Sequence, residues 1–233
     1  MSQFISQKKT IMLTGGQRAN GKIRISGAKN ACLPILAACI LTEDQVIIKN
    51  VPQLVDVQCM QNILCSIGIK IKQYKQELIL DSSKIISTSI EQELSNQMRA
   101  SILLLAPLLS RHDTIALSLP GGCTIGARPI DIHLFGLRKM GVTIEIINNI
   151  IYATKIGRLQ SNDITLHYPS VTGTENLLMA ACLAKGQTIL RNIAKEPEIL
   201  DLICMLRKMG AKIKLKDNNI LLIDGVKPVS YTH

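Results

Sequence analysis

Three short stretches of this chain resemble one another: SIGIKI at 66–71, KMGVTI at 139–144 and KMGAKI at 208–213. Their glycines, Gly68, Gly141 and Gly210, stand 73 and 69 residues apart. Near-equal spacing of this kind marks an internal structural repeat and constrains the fold more than any local propensity. Each glycine follows an amphipathic helical segment, where it suits the left-handed residue that closes a helix. Each is followed by alternating apolar residues that turn back on themselves: KIKQYKQELIL, TIEIINNIIYA and KIKLKDNNILLI. The pairs Asn148-Asn149 and Asn218-Asn219 signal hairpin turns.

The similarity extends upstream. PILAACILTEDQVIIKN at 34–50, SILLLAPLLSRHDTIALSLP at 101–120 and LLMAACLAKGQTILRN at 177–192 each read as an apolar helix, a polar turn and a strand. A helix such as NACLPILAACIL has no polar face and must be buried on all sides. The expected fold is mixed α/β, of the α+β kind: three helix–strand–helix–hairpin units around buried helices. Residues 10–26 read as two strand-like pieces that lack the helix the repeat would supply. No linker or second domain is expected after the third hairpin.

With 47% hydrophobic residues among 233, the chain is globular and can bury a core. Aromatics are only 3%, with no Trp, so that core is built from Ile, Leu, Val, Ala and Met. The formal charge of +10 points to anionic partners. The basic residues are dispersed, and six Tyr and Phe are too few for a base-stacking platform, which argues against nucleic acid. Seven cysteines at irregular spacing, with no CxxC pair, offer no zinc site and fit a reducing cytoplasm. Neither a signal-peptide apolar region nor a membrane-spanning run is expected.

Four stretches could carry chemistry. In PGGCTIGARP, 120–129, the glycines Gly121, Gly122 and Gly126 give a loop whose backbone can approach a ligand. Arg128 and a helix opening at Pro129 would make an anion site beside Cys123, favouring its thiolate. A plain surface loop with an incidental cysteine reads equally well. In SGAKNACLP, 26–34, Lys29 is either a solvated loop residue or the cation of an anion site, and Asn30 fits an N-cap. Arg99 precedes an apolar helix, where an arginine is most often solvated or bonded to carbonyls. Thr172-Gly173-Thr174-Glu175 has the form of a capping box, which accounts for Thr172 and Glu175 without a ligand and leaves Ser170 and Val171 available for one. His112, His133 and His167 form no metal spacing, and there is no P-loop or dinucleotide fingerprint.

GGQRANGKIRISGAKNACLPILAACIL, NQMRASILLLAPLL, SLPGGCTIGARPIDIHLFGL and EPEILDLICMLRKMGAKI together resemble the UDP-N-acetylglucosamine 1-carboxyvinyltransferase family of enolpyruvyl transferases. The resemblance spans nearly the whole chain. It implies one domain of an inside-out α/β barrel. It also implies transfer of enolpyruvyl from phosphoenolpyruvate to the 3-hydroxyl of UDP-N-acetylglucosamine, the first committed step of peptidoglycan synthesis, in the cytoplasm and without a cofactor or metal. Cys123 then matches the loop cysteine that donates a proton, can form an adduct with phosphoenolpyruvate and is alkylated by fosfomycin. Lys29 matches the ligand of the phosphoenolpyruvate phosphate, and Asn30 and Arg99 match substrate contacts. Arg128 matches a phosphate and substrate ligand that opens a nucleotide-sugar segment continuing through Pro129, Ile130, Asp131 and Ile132. Ser170 and Val171 match a uridine-side loop. A glycine-rich loop of this kind can close over substrate and exclude water.

The chain departs from the family pattern at Tyr168-Pro169, where some members have Lys-Val, and at Thr172-Gly173, where Gly-Ala is more usual. It also spans only the N-terminal half. The resemblance divides it into 1–20, a strand region belonging to the second domain; 21–227, the three-repeat domain; and 228–233, a truncated crossover. A second, separately encoded domain is the expected partner, without which the chain would be inactive. The alternative is a non-catalytic remnant that binds a nucleotide sugar or a protein.

Overall fold

The computed structural model describes residues 10, 12–16, 18, 20–121, 130–216 and 219–227. Within them the chain runs through one plan three times. The first unit is α1 (Lys29–Ala38), extended by a 3-10 turn Cys39–Leu41, then β1 (Gln45–Ile48), α2 (Val55–Ser66), β2 (Lys70–Tyr74) and β3 (Glu77–Asp81). The second opens on β4 (Ser89–Ile90) and α3 (Gln92–Ser95). A 3-10 helix Arg99–Leu104 then leads to α4 (Leu105–Arg111), β5 (Thr114–Ser118), α5 (Asp131–Lys139), β6 (Thr143–Ile147) and β7 (Ile150–Thr154). The third is β8 (Asp163–Thr165), α6 (Val171–Cys182), β9 (Gln187–Arg191), α7 (Pro197–Lys208), β10 (Lys212–Lys216) and β11 (Ile220–Asp224).

The repeated glycines close the amphipathic helices identically. Gly68, Gly141 and Gly210 have φ of 102°, 89° and 93°. In each unit the glycine N–H donates three residues back into the helix end, to the carbonyl of Cys65, Arg138 or Arg207. The next N–H reaches Leu64, Leu137 or Leu206. This is the Schellman arrangement, with an apolar residue after the glycine.

Each unit forms its own sheet. The hairpin's second strand pairs antiparallel with the strand ahead of the amphipathic helix, giving orders β1-β3-β2, β4-β5-β7-β6 and β8-β9-β11-β10. The first two hairpins turn in two residues, Tyr74 opposing Glu77 and Ile147 opposing Ile150. Asn148 and Asn149 both take positive φ, as a type I′ turn requires. The third departs from the expected two-residue turn: Lys216 opposes Ile220, so three residues form the loop, and Asn218 lies outside the described residues.

The second and third sheets carry a short parallel edge strand, β4 or β8. The first has no counterpart among the described residues. The strand-like pieces expected over 10–26 form no ladder there: Met12, Leu13, Ile23 and Ile25 are exposed, and alternating apolar residues alone do not make a strand without a partner to bond.

The apolar helices occupy the centre, as their lack of a polar face requires. Leu36, Ile40, Leu104, Leu105, Leu108, Leu177 and Leu178 are fully buried. Burying each such side chain contributes about 1.5–3 kcal/mol. α4 packs on α6, and α1 touches α6 and α7. Two arginines pin the joints. Arg111 donates to the carbonyls of Ile40 and Ser82, and Arg158 to those of Leu183, Ala184 and Val226. Part of the positive charge is therefore structural. No helix among the described residues is long and apolar enough to cross a membrane.

Candidate active site

The N-terminal ends of α1, the 3-10 helix and α6 converge on a cleft of about 380 Å³. Lys29 and Asn30 enter it from α1, Arg99 from the 3-10 helix, and Val171 and Thr172 from α6. Asp56 of α2 and Glu198 of α7 complete its charged lining. Lys29 and Thr172, 143 positions apart in sequence, thus share one wall, because each repeat begins its central helix at the same end of the domain.

Lys29 donates to Asp56 at 2.7 Å, with both side chains more than two-fifths exposed (44% and 41%). Solvent screening makes such a pair worth little, so the ammonium keeps donors for a ligand. Lys29 is the first residue of α1 and Ala28 the N-cap, without a side-chain cap. The expectation that Asn30 caps this helix therefore fails: it is the second helical residue, two positions after the N-cap, and lines the cleft instead.

α5 and α6 meet closely because glycines face bulk. A Cβ on Gly136 would lie 2.3 Å from Leu177 Cδ1, and one on Gly173 would lie 2.5 Å from Ile132 Cγ2. That approach brings a buried polar chain to the cleft wall. Asn176, fully buried in α6, accepts from the Ala106 N–H at 3.0 Å through Oδ1 and donates through Nδ2 to the Ile102 carbonyl at 3.0 Å. Its amide thus replaces the helical bond between these two groups, at the point where the 3-10 helix becomes α4. The same Nδ2 lies 2.8 Å from His133 Nδ1, which must accept. Nε2 then carries the proton and donates to Thr172 Oγ1 at 3.2 Å, leaving the Thr172 hydroxyl proton free to point elsewhere. Burial, then the nearby Arg99 charge, pushes His133 down to about 4, so it is neutral near pH 7.

The helix start at 170 differs from the capping-box expectation. Ser170, not Thr172, is the N-cap of α6, and its Oγ accepts from the Gly173 N–H at 3.2 Å. Thr172 is inside the helix and bonded to His133, and Glu175 lies one turn further on, buried in the cleft wall. Likewise α5 begins at Asp131 with Ile130 as N-cap, not at Pro129. Asp131 accepts from the Tyr168 hydroxyl at 2.5 Å. That bond, then partial desolvation, pushes the phenol up to about 12. The Tyr168-Pro169 departure thus has a local use, fixing Asp131 at the first turn of α5. Ile130 is half-buried, and the Ile132 side chain is fully buried beneath α6.

Of the sequence candidates, Lys29, Asn30, Arg99 and Val171 line one cleft, with Ser170 capping the helix that Val171 begins. Cys123, Arg128 and Pro129 lie outside the described residues. The root of their loop is fixed at Gly121, where a Cβ would come within 2.7 Å of the Asn96 Cα and carbonyl oxygen, three residues before Arg99. Sequence reasoning missed His133, Asn176 and Glu175. The available signal was the polar pair Glu175-Asn176 in an otherwise apolar helix, which burial obliges to find partners or a ligand. Among the described residues no cluster could hold a metal ion.

The family profile of EPSP synthase (3-phosphoshikimate 1-carboxyvinyltransferase) matches residues 13–232. The chain belongs to this family. Within it, the UDP-N-acetylglucosamine 1-carboxyvinyltransferase of Coxiella burnetii is 48% identical over 221 residues, covering 94% of this chain and 51% of that protein. The protein of the same name from Acinetobacter baylyi is 47% identical over 216 residues, covering 93% and 52%. The chain spans about half the length of the curated relatives it matches. Among solved structures, the enolpyruvyl transferase NikO from Streptomyces tendae superposes with a TM-score of 0.80 at 23% identity, over 92% of this chain and 50% of that one. An EPSP synthase from Acinetobacter baumannii gives 0.71 at 20% identity, over 90% and 48%. These likenesses establish the fold, one domain of an enolpyruvyl transferase.

Proposed function

We propose that this chain supplies the N-terminal half of a UDP-N-acetylglucosamine enolpyruvyl transferase acting in cytoplasmic peptidoglycan synthesis. It works with a C-terminal half that carries the rest of the site. The carrying observation is the convergence of Lys29, Asn30 and Arg99 with the first turn of α6 on one cleft. Two cations and a helix N-terminus suit a strongly anionic substrate such as phosphoenolpyruvate. The names of the relatives supply the second substrate.

In this reading Lys29 and Arg99, joined by Arg128, hold the phosphate and carboxylate. Ser170, Val171 and the segment Arg128 to Ile132 hold the nucleotide sugar, with Asp131 oriented by Tyr168. The sugar 3-hydroxyl gives its proton to a base of the C-terminal half as its oxygen bonds to C2 of phosphoenolpyruvate, while Cys123 gives its proton to C3. Loss of a proton from C3 then re-forms the double bond as the C2–O bond breaks and phosphate leaves with the electron pair. The test is phosphate release from phosphoenolpyruvate and UDP-N-acetylglucosamine by the chain alone and mixed with a separately expressed C-terminal half. Release is expected only in the mixture, and not with Cys123→Ser. No release from folded partners, or full release with Cys123→Ser, refutes the reading.

A further inference from the structure

Glu175 is a fully buried carboxyl of the cleft wall that the proposed chemistry leaves without a task. It lies one turn inside α6, on the same face as Val171 and Thr172, and is 1% exposed. Its Oε1 has no hydrogen-bond partner. Buried carboxyl oxygens are ordinarily bonded, so an orphan in the wall of a cleft points to a partner that arrives with the ligand. The charged groups around it are Glu198 and Glu196 of the α7 start, and Lys29, Asp56 and Arg99 across the cleft. Burial first, then the charges of Glu198 and Glu196, raise its carboxyl to about 8.

We propose that Glu175 is a ligand-facing acid of this cleft: it takes up a proton when an anion binds and donates a hydrogen bond to one of the anion's oxygens. An ionised Glu175 would repel such a ligand with a bare, desolvated charge, whereas the protonated form offers a donor where Oε1 now has no partner. The proton comes from solvent, and the net event is anion plus proton binding together. Thr172, with its hydroxyl oxygen occupied by His133, presents a second donor on the same helical face. The proposal rests on the cleft's being an anionic-substrate site.

The experiment is calorimetry of the full chain in two buffers of different ionisation enthalpy, which counts protons taken up per ligand. Phosphoenolpyruvate is one probe. Inorganic sulfate, which does not titrate in the range used, is the other. Near pH 8 wild type should take up as much as about half a proton per sulfate, falling to about zero near pH 6, where Glu175 is already protonated. Glu175→Gln, near-isosteric and checked for folding by circular dichroism, should bind sulfate with no uptake at either pH. Glu198→Gln should retain uptake. Binding without uptake in wild type, or uptake that survives in Glu175→Gln, overturns the role of Glu175 and leaves the proposed function standing. No binding of either anion by folded wild type, alone or mixed with the C-terminal half, overturns both. Infrared spectra of the unliganded chain supply an independent check. A protonated-carboxyl band near pH 7 should vanish in Glu175→Gln, and its absence from wild type also overturns the assignment.

Discussion

Removing the Asn176 amide tests whether the site wall is held by a polar bridge or by packing alone. In Asn176→Ala two buried groups lose their partner. The Ala106 N–H is left without an acceptor, and His133 Nδ1 is left without a donor. The Ile102 carbonyl keeps a bond from the Leu105 N–H, so it is not orphaned. Each orphaned buried group costs about 1–3 kcal/mol, which gives a loss of roughly 2–6 kcal/mol before any cavity term. Against a domain stability of about 5–15 kcal/mol this is a large fraction. Urea unfolding should show a much lower midpoint with an unchanged slope. A double-mutant cycle with His133→Ala should give a coupling above about 0.5 kcal/mol, because the two residues share one bond. A loss below about 1 kcal/mol, or additive single mutants, would refute the bridge and mean that the interface of α4, α5 and α6 tolerates an apolar replacement.

Ser170→Ala should cost about 1 kcal/mol in thermal or urea unfolding through loss of the α6 cap, and restoring Thr at 170 should recover most of it. An equal effect of the cap type from Thr172→Ala, with none from Ser170→Ala, would return the helix start to Thr172. His133 carries a folded value near 4 against about 6.5 unfolded. Below about pH 6.5 the unfolded chain binds a proton that the native chain excludes, so stability present above that pH is lost as pH falls toward 4. His133→Gln should flatten the dependence of the urea midpoint between those values, and an unchanged slope would show that His133 is not buried neutral.

The repeat was legible because it is local. Helix, left-handed glycine and hairpin are each written in residues that touch within a few positions, and Gly68, Gly141 and Gly210 adopt the backbone that their place in the pattern demands. Lys29, Asn30 and Arg99 were legible as candidates one by one, through short motifs. Their sharing of a cleft was not, because it depends on how three units stack. The helix start at 170 was misread for a related reason. Ser170 and Thr172 both suit a cap, and the choice is made by Gly173 seating against Ile132 of another unit. Once Ser170 caps the helix, Glu175 has no capping task and becomes a buried orphan.

The sequence by itself determined three units of one plan, apolar helices that had to be central, hairpins outside them, and the family. All follow from periodicity and short-range backbone chemistry, which one chain carries in every conformation it samples. Only the tertiary structure decided that Asn176 stands in for a missing helical bond, that His133 is neutral with its proton on Nε2, that Asp131 is held by Tyr168, and that Glu175 is buried without a partner. Those properties belong to contacts between residues 37 to 74 positions apart, or to the loss of water around one carboxyl. Neither burial nor the partner of a polar atom exists until the units have packed.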